Sequence, residues 1–245
     1  MKTFLLVLSI FPALAMAAHP LVSDDTGTQG NGKWQYEMNT DHGTYDSGAM
    51  RTSVSQINAT VTFGFNDDVD FALNLPWMRV APDGLPSANG IGDVALVAKW
   101  RIYDKNGWSW ALKPQINFPT GDTSQGLGNG KTGAGINGLV SFTSAQWTVL
   151  GNIGTTWNNN SVGARTSLWN VSTAAIFSPC DFLKLALDVG TYQNVDPTNN
   201  LNPAFMIVGV MWTPNKMLDV DLGVKRGLNR SEVARSIGAG ITVHF

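Results

Sequence analysis

The sequence predicts an all-β fold: an antiparallel, up-and-down transmembrane β-barrel of about 12 strands. Three observations carry that prediction. The final ten residues alternate strictly, with Ile237, Ala239, Ile241, Val243 and Phe245 on one face and Ser236, Gly238, Gly240, Thr242 and His244 on the other. Apolar residues make up 43% of the chain and charged ones only 14%, yet beyond the opening segment no run of about 18 apolar residues occurs. Short turn-forming clusters alternate with longer polar stretches along the whole chain. A wall that meets lipid outside and water inside satisfies all three, because each strand then needs apolar residues at every second position rather than in long runs.

The chain opens with Lys2, an apolar run from Phe4 to Leu14 and the small-residue site Ala15-Met16-Ala17, the three parts of a secretory signal. Cleavage is expected after Ala17, with delivery to the outer membrane of a Gram-negative cell. Residues 1–17 are therefore assigned as signal peptide. Residues 18–245 are assigned as the barrel, preceded by a short periplasmic segment. Removing Lys2 from 16 basic residues leaves 15 against 18 acidic, 15 − 18 = −3, which is no footprint for nucleic acid. Cys180 is the sole cysteine. It lies in Ser178-Pro179-Cys180-Asp181, read as a tight turn, and with no nearby His or basic residue to activate it, it reads as a structural thiol.

Five short turn signals follow in order: Asn66-Asp67-Asp68, Asp104-Lys105-Asn106-Gly107, Thr143-Ser144-Ala145, Ser178-Pro179-Cys180-Asp181 and Thr213-Pro214-Asn215-Lys216. Six longer polar stretches lie between and beyond them, at 42–50, 81–90, 120–131, 158–165, 194–202 and 227–234. Short turns are periplasmic and long loops extracellular in outer-membrane barrels. Eleven connections join 12 strands, expected at 33–42, 51–65, 69–80, 91–103, 108–119, 132–142, 146–157, 165–177, 182–193, 203–212, 217–226 and 235–245. An even number returns the chain to the periplasmic side, where Phe245 would act as the membrane-insertion signal read by the barrel assembly machinery.

Parity sorts the side chains of each strand. In 108–119, Trp108, Trp110, Leu112, Ile116 and Phe118 face outward, and Ser109, Lys113, Gln115 and Asn117 inward. In 182–193, Lys184 and Asp188 face inward; in 217–226, Asp219, Asp221 and Lys225 do. Tryptophan tests this register. All nine fall on the outward parity near strand ends: Trp34, Trp77, Trp100, Trp108, Trp110, Trp147, Trp157, Trp169 and Trp212. Indole favours the membrane–water boundary, so these are expected as membrane girdles in contact with outer-membrane lipid.

The inward set balances in sign: Lys33, Lys99, Arg101, Lys113, Lys184 and Lys225 against Glu37, Asp70, Asp93, Asp188, Asp219 and Asp221. Two readings stay open. These residues line a pore for neutral or amphipathic solutes, or they pair into salt bridges that partly block the bore. The expected lumen-lining residues are Lys99, Arg101, Lys113, Gln115, Asn117, Lys184, Asp188, Asp219, Asp221 and Lys225. A barrel of about 12 strands is wider than the side-chain-filled eight-stranded case and narrower than a 16-stranded porin.

No catalytic site, cofactor or metal is expected. The three histidines, His19, His42 and His244, are scattered. His42 has Thr40, Asp41, Thr44 and Ser47 nearby, which polar loop composition explains more simply than a hydrolase. Asp24-Asp25 and Asp67-Asp68-Val69-Asp70 offer oxygen ligands but lack calcium-loop spacing.

The run from His19 to Gln35, together with Gly90-Ile91-Gly92-Asp93-Val94 and Phe118-Pro119-Thr120-Gly121-Asp122, resembles a bacterial outer-membrane transporter family named for the meta-pathway of phenol degradation. The resemblance spans most of the mature chain. It implies an outer-membrane barrel that passes aromatic or other hydrophobic compounds, and it supplies no catalytic residues. The expected function is passive uptake of small, hydrophobic or aromatic molecules through a porin-like channel. The alternative is a non-transporting barrel with a plugged lumen, an adhesin or structural protein; an outer-membrane enzyme ranks below both.

Overall fold

A computed structural model describes residues 19–46 and 50–245. Residues 1–18, which include the expected signal segment 1–17, and residues 47–49 lie outside the described residues.

Period-two sequences become strands in chain order: β1 (Trp34–Asp46), β2 (Arg51–Gly64), β3 (Val69–Pro82), β4 (Ala88–Ile91), β5 (Val94–Lys105), β6 (Trp108–Phe118), β7 (Gly133–Ser144), β8 (Trp147–Trp157), β9 (Ser167–Cys180), β10 (Leu183–Tyr192), β11 (Ala204–Asn215), β12 (Leu218–Gly227) and β13 (Arg235–His244). Each pairs antiparallel with its chain neighbour, except that β4 and β5 both pair with β3 and together form one barrel strand. β1 pairs with β13, from Gln35↔His244 to Thr44↔Arg235, which closes the sheet. The result is a closed 12-stranded antiparallel barrel with almost no helix. Closure leaves no unpaired edge, which a hydrocarbon environment demands.

Alternation is plain in β3: Asp70, Ala72, Asn74, Met78 and Val80 are buried, and Phe71, Leu73, Leu75 and Trp77 are exposed. Exposed apolar residues stand along most of the outer wall, an arrangement that water penalises and lipid accepts. All nine tryptophans are exposed there. Three of them stack on a phenylalanine that is their direct cross-strand partner: Trp34 on Phe63, Trp108 on Phe142 and Trp147 on Phe177, with ring centroids 4.7–4.8 Å apart. Such pairs add about 0.5–1 kcal/mol each beyond buried area.

Short turns join strands at the end that holds Trp34 and Phe245. Asn106 and Gly107 both have positive φ, 55° and 80°, as a two-residue hairpin turn requires. Two expected turns sit later than their sequence suggests. Ser178, Pro179 and Cys180 extend β9, and the chain reverses at Asp181-Phe182; likewise β11 runs to Asn215. Ladder pairing holds them, since Cys180 partners Leu183 and Asn215 partners Leu218.

The expected strand 91–103 is interrupted at Gly92-Asp93. The Asp93 carboxylate accepts hydrogen bonds from the Gly121 and Asn129 amides at 3.0 and 2.8 Å. The Thr120 hydroxyl donates to Gly92 O at 2.7 Å and accepts from Val94 N at 2.9 Å. These side chains replace the backbone ladder and draw the loop after β6 inward. Its Leu127 packs against Val54, Met78 and Val80 inside the loop end of the barrel.

Candidate functional site

A short periplasmic segment was expected ahead of β1. Residues 19–29 instead thread into the barrel and cross its bore at mid-height. The segment has no period and forms no strand, so side chains of the wall hold it in place. Near the turn end, Gln29 N donates to the Asp70 carboxylate at 3.0 Å, and Asn31 N donates to Asp67 at 3.1 Å. Farther in, Thr26 N donates to Ser141 Oγ at 3.2 Å.

Asp24 sits at the centre, fully enclosed. It pairs with Lys113, and with Lys99 at 3.1 Å, while its carbonyl accepts from Asn152 at 3.2 Å. Burial alone would raise its carboxyl pKa; the two ammonium groups outweigh that and hold it below the usual range. Asp25 contributes a longer contact to Lys99, 3.7 Å. Next, Asp188 of β10 receives three donors: Val22 N at 2.7 Å, Ser23 N at 2.8 Å and Ser23 Oγ at 2.8 Å. Ser23 Oγ also lies 2.9 Å from Ser172 Oγ. Leu21 packs on Leu150, Ala174 and Ala186, and Val22 on Tyr192, Phe205 and Ile207.

The segment then reaches the opposite wall. Pro20 fills the space left by Gly209 and Gly223, where a Cβ on either residue would collide with its ring. His19 pairs with Asp221 through Nδ1 and faces Asp41 at 3.6 Å through Nε2. Burial disfavours the imidazolium, but the two carboxylates outweigh it and the His19 pKa is pushed up to about 9. The segment is therefore clamped at two charged points, Asp24 on one wall and His19 on the other.

Beneath it, toward the turn end, lies a cavity of about 730 Å³ lined by Asp24, Lys99, Lys113, Lys184, Asp219, Asp221, His244 and Phe245 among others. At the loop end, the Glu232 and Val233 side chains are buried, and Glu232 pairs with Lys225 at 3.0 Å.

The expected lining residues thus divide. Lys99, Lys113, Asp188 and Asp221 converge on the crossing segment. Gln115 and Asn117 are buried on the same wall as Lys113, 3.4 Å apart. Lys184 is exposed to the cavity. Asp219 is held near the rim by Thr213 at 2.5 Å and His244 at 2.9 Å. Arg101 clamps the first turn through Asp68 and the Asp67 carbonyl. Lys225 lies toward the loop end, over the Phe205 ring at 4.9 Å. His42 Nδ1 meets Ser55 Oγ at 2.9 Å on the outer wall.

Sequence reasoning missed His19, Ser23 and Leu21 as site residues. It weighed Asp24-Asp25 only as an oxygen-ligand pair. The available signal was the acidic pair Asp24-Asp25 just ahead of the first strand, in a chain whose inward face carries Lys99 and Lys113. Among the described residues no group of His, Cys, Asp and Glu could hold a metal.

The fold and this lumen can be set beside known proteins. The COG4313 outer membrane channel from Pseudomonas putida F1 superposes with a TM-score of 0.72 at 15% identity, covering 90% of this chain and 98% of that one. A KdgM porin gives 0.59 at 7% identity, over 87% and 99%. The Pseudomonas putida toluene transporter TodX gives 0.52 at 11% identity, over 91% and 94%. At these identities the likeness is one of fold, that of outer-membrane barrels. No curated protein matches the sequence. The family Phenol_MetA_deg, "Putative MetA-pathway of phenol degradation", matches residues 17–245. Match and architecture agree over the whole barrel, and the chain belongs to that family.

Proposed function

We propose that the chain is an outer-membrane channel for passive entry of small molecules, and that residues 19–29 set its bore. The observation that carries this reading is the crossing segment itself. It is held by side-chain contacts and not by a backbone ladder, and it stands above a cavity of about 730 Å³. A segment held this way can shift without breaking the wall. The channel, porin and transporter among the structural neighbours support the same role.

The solute class is small hydrophobic or aromatic molecules. The family's description names phenol degradation, and TodX is a toluene transporter. Val54, Met78, Val80 and Leu127 inside the loop end, and Tyr192, Phe205 and Ile207 beneath Val22, are apolar clusters that a shift of the segment and loops would open to a solute. In the same reading, cleavage after Ala17 releases the mature chain, the nine exposed tryptophans form lipid girdles, and Phe245 is the assembly signal.

A second reading is favoured by the buried pairing of Asp24 with Lys113 and Lys99: a barrel whose bore is closed and passes nothing. Planar-bilayer recording separates the two. Ser23→Cys with Ser172→Cys, in a Cys180→Ser background, places two thiols where hydroxyls stand 2.9 Å apart. A channel shows steady single-channel steps that oxidation of this pair reduces and dithiothreitol restores. A closed barrel is silent as the full mature chain and conducts only when residues 18–29 are deleted. Liposome swelling with neutral, charged and aromatic solutes then ranks the cargo.

A further inference from the structure

Four of the chain's seven arginines gather on the outside of the barrel, at its loop end. Arg226 of β12 and Arg235 of β13 are direct cross-strand partners. Arg235 pairs on its other side with Thr44 of β1, Thr44 with Ser53 of β2, and Ser53 with Ala81 of β3. Arg51 lies two residues before Ser53, and Arg79 two before Ala81. Period two therefore puts all four side chains on the outward face, and all four are exposed. None forms an ion pair among the described residues. Asp46, opposite Arg51, is the one acidic residue on the outward face of these five strands.

Like charges directly opposite each other destabilise a sheet unless an anion lies between them. Adjacent strands are about 4.8 Å apart, so the patch spans about 20 Å of wall. Immediately below it, on the same face, stand the exposed Val224, Ile237, Ile57 and Trp77. A ligand for this surface carries negative charge at one end and hydrocarbon at the other. Guanidinium binds phosphate through two parallel hydrogen bonds, which an ammonium cannot match. Long loops mark the extracellular side, so the patch lies at the head-group level of the outer leaflet. We propose that Arg51, Arg79, Arg226 and Arg235 bind the phosphate-bearing head group of an outer-leaflet lipid, whose acyl chains lie against the apolar row beneath.

The test uses the full mature chain in neutral detergent, titrated with diphosphorylated lipid A, with the same lipid after phosphatase treatment, and with inorganic phosphate. Binding is read by native mass spectrometry and by tryptophan fluorescence, since Trp77 is two residues from Arg79. Lipid A is expected to bind at least about tenfold more tightly than its dephosphorylated form, and inorganic phosphate at equal concentration is expected not to displace it. Arg226→Gln with Arg235→Gln should weaken lipid A binding by about tenfold or more; Arg79→Gln provides a separate variant should that pair fail to fold. A loss of less than about threefold in the folded variants, equal binding of the two lipids, or displacement by inorganic phosphate overturns the proposal. Conductance is read independently, so failure here is distinguishable from failure of the channel reading.

Discussion

The His19 clamp sets a pH dependence whose size and sign can be worked out. The folded pKa of about 9 lies above the ordinary 6.5, a gap of 2.5. At about 1.4 kcal/mol per unit this corresponds to up to about 3 kcal/mol of docking free energy. Because the pKa is raised, that contribution is fully present below about pH 6.5 and is lost as pH rises through 9. The population with the segment released should grow on the order of a hundredfold across that window. Asp221 and Asp41 are the carboxylates that face the ring. The α-amino group created by cleavage after Ala17 would titrate in the same range, so His19→Gln is the necessary control. The assay is planar-bilayer conductance of the mature chain from pH 6 to 10. Mean conductance or open probability should rise with pH in the parent and be high and nearly flat in His19→Gln. A parent that does not respond to pH, or a variant that follows the parent's profile, refutes the reasoning.

Three other outcomes are expected. Asp24→Asn removes the carboxylate shared by two enclosed lysines and should cost about 3 kcal/mol or more of segment docking; limited proteolysis should then cut within residues 19–29 while the barrel stays intact. Gly223→Val puts a side chain where Pro20 packs, so the segment should be displaced and conductance raised, with heat-modifiable migration on gels unchanged. The nine exposed tryptophans should be quenched strongly by brominated lipids in reconstituted vesicles, and indoles shielded from those lipids would count against a lipid-facing outer wall.

How far the wall could be read in advance follows from locality. Outward Phe71, Leu73, Leu75 and Trp77 and inward Asp70, Ala72 and Asn74 need only period two. The Asn106-Gly107 turn needs only two residues willing to take positive φ. Strand ends were less legible. Cys180 and Asn215 look like turn residues but remain in the ladder because a partner strand is there to meet them. The break at Gly92-Asp93 depends on amides nearly thirty or more residues away, those of Gly121 and Asn129.

The sequence by itself determined a wall: its strand count, and the alternation along each strand that leaves all nine tryptophans exposed. Each of those properties is carried by neighbours along one strand or one turn. Tertiary structure alone decided what occupies the interior. Residues 19–29 have no periodicity to reveal their place, and their partners are Lys99, Lys113, Asp188 and Asp221, 75 to 202 positions away. Only the closed barrel brings Gly209 and Gly223 under Pro20, or sets Arg226 opposite Arg235. Register and closure are global, so the contents of the bore become visible only when the sheet has met its own edge.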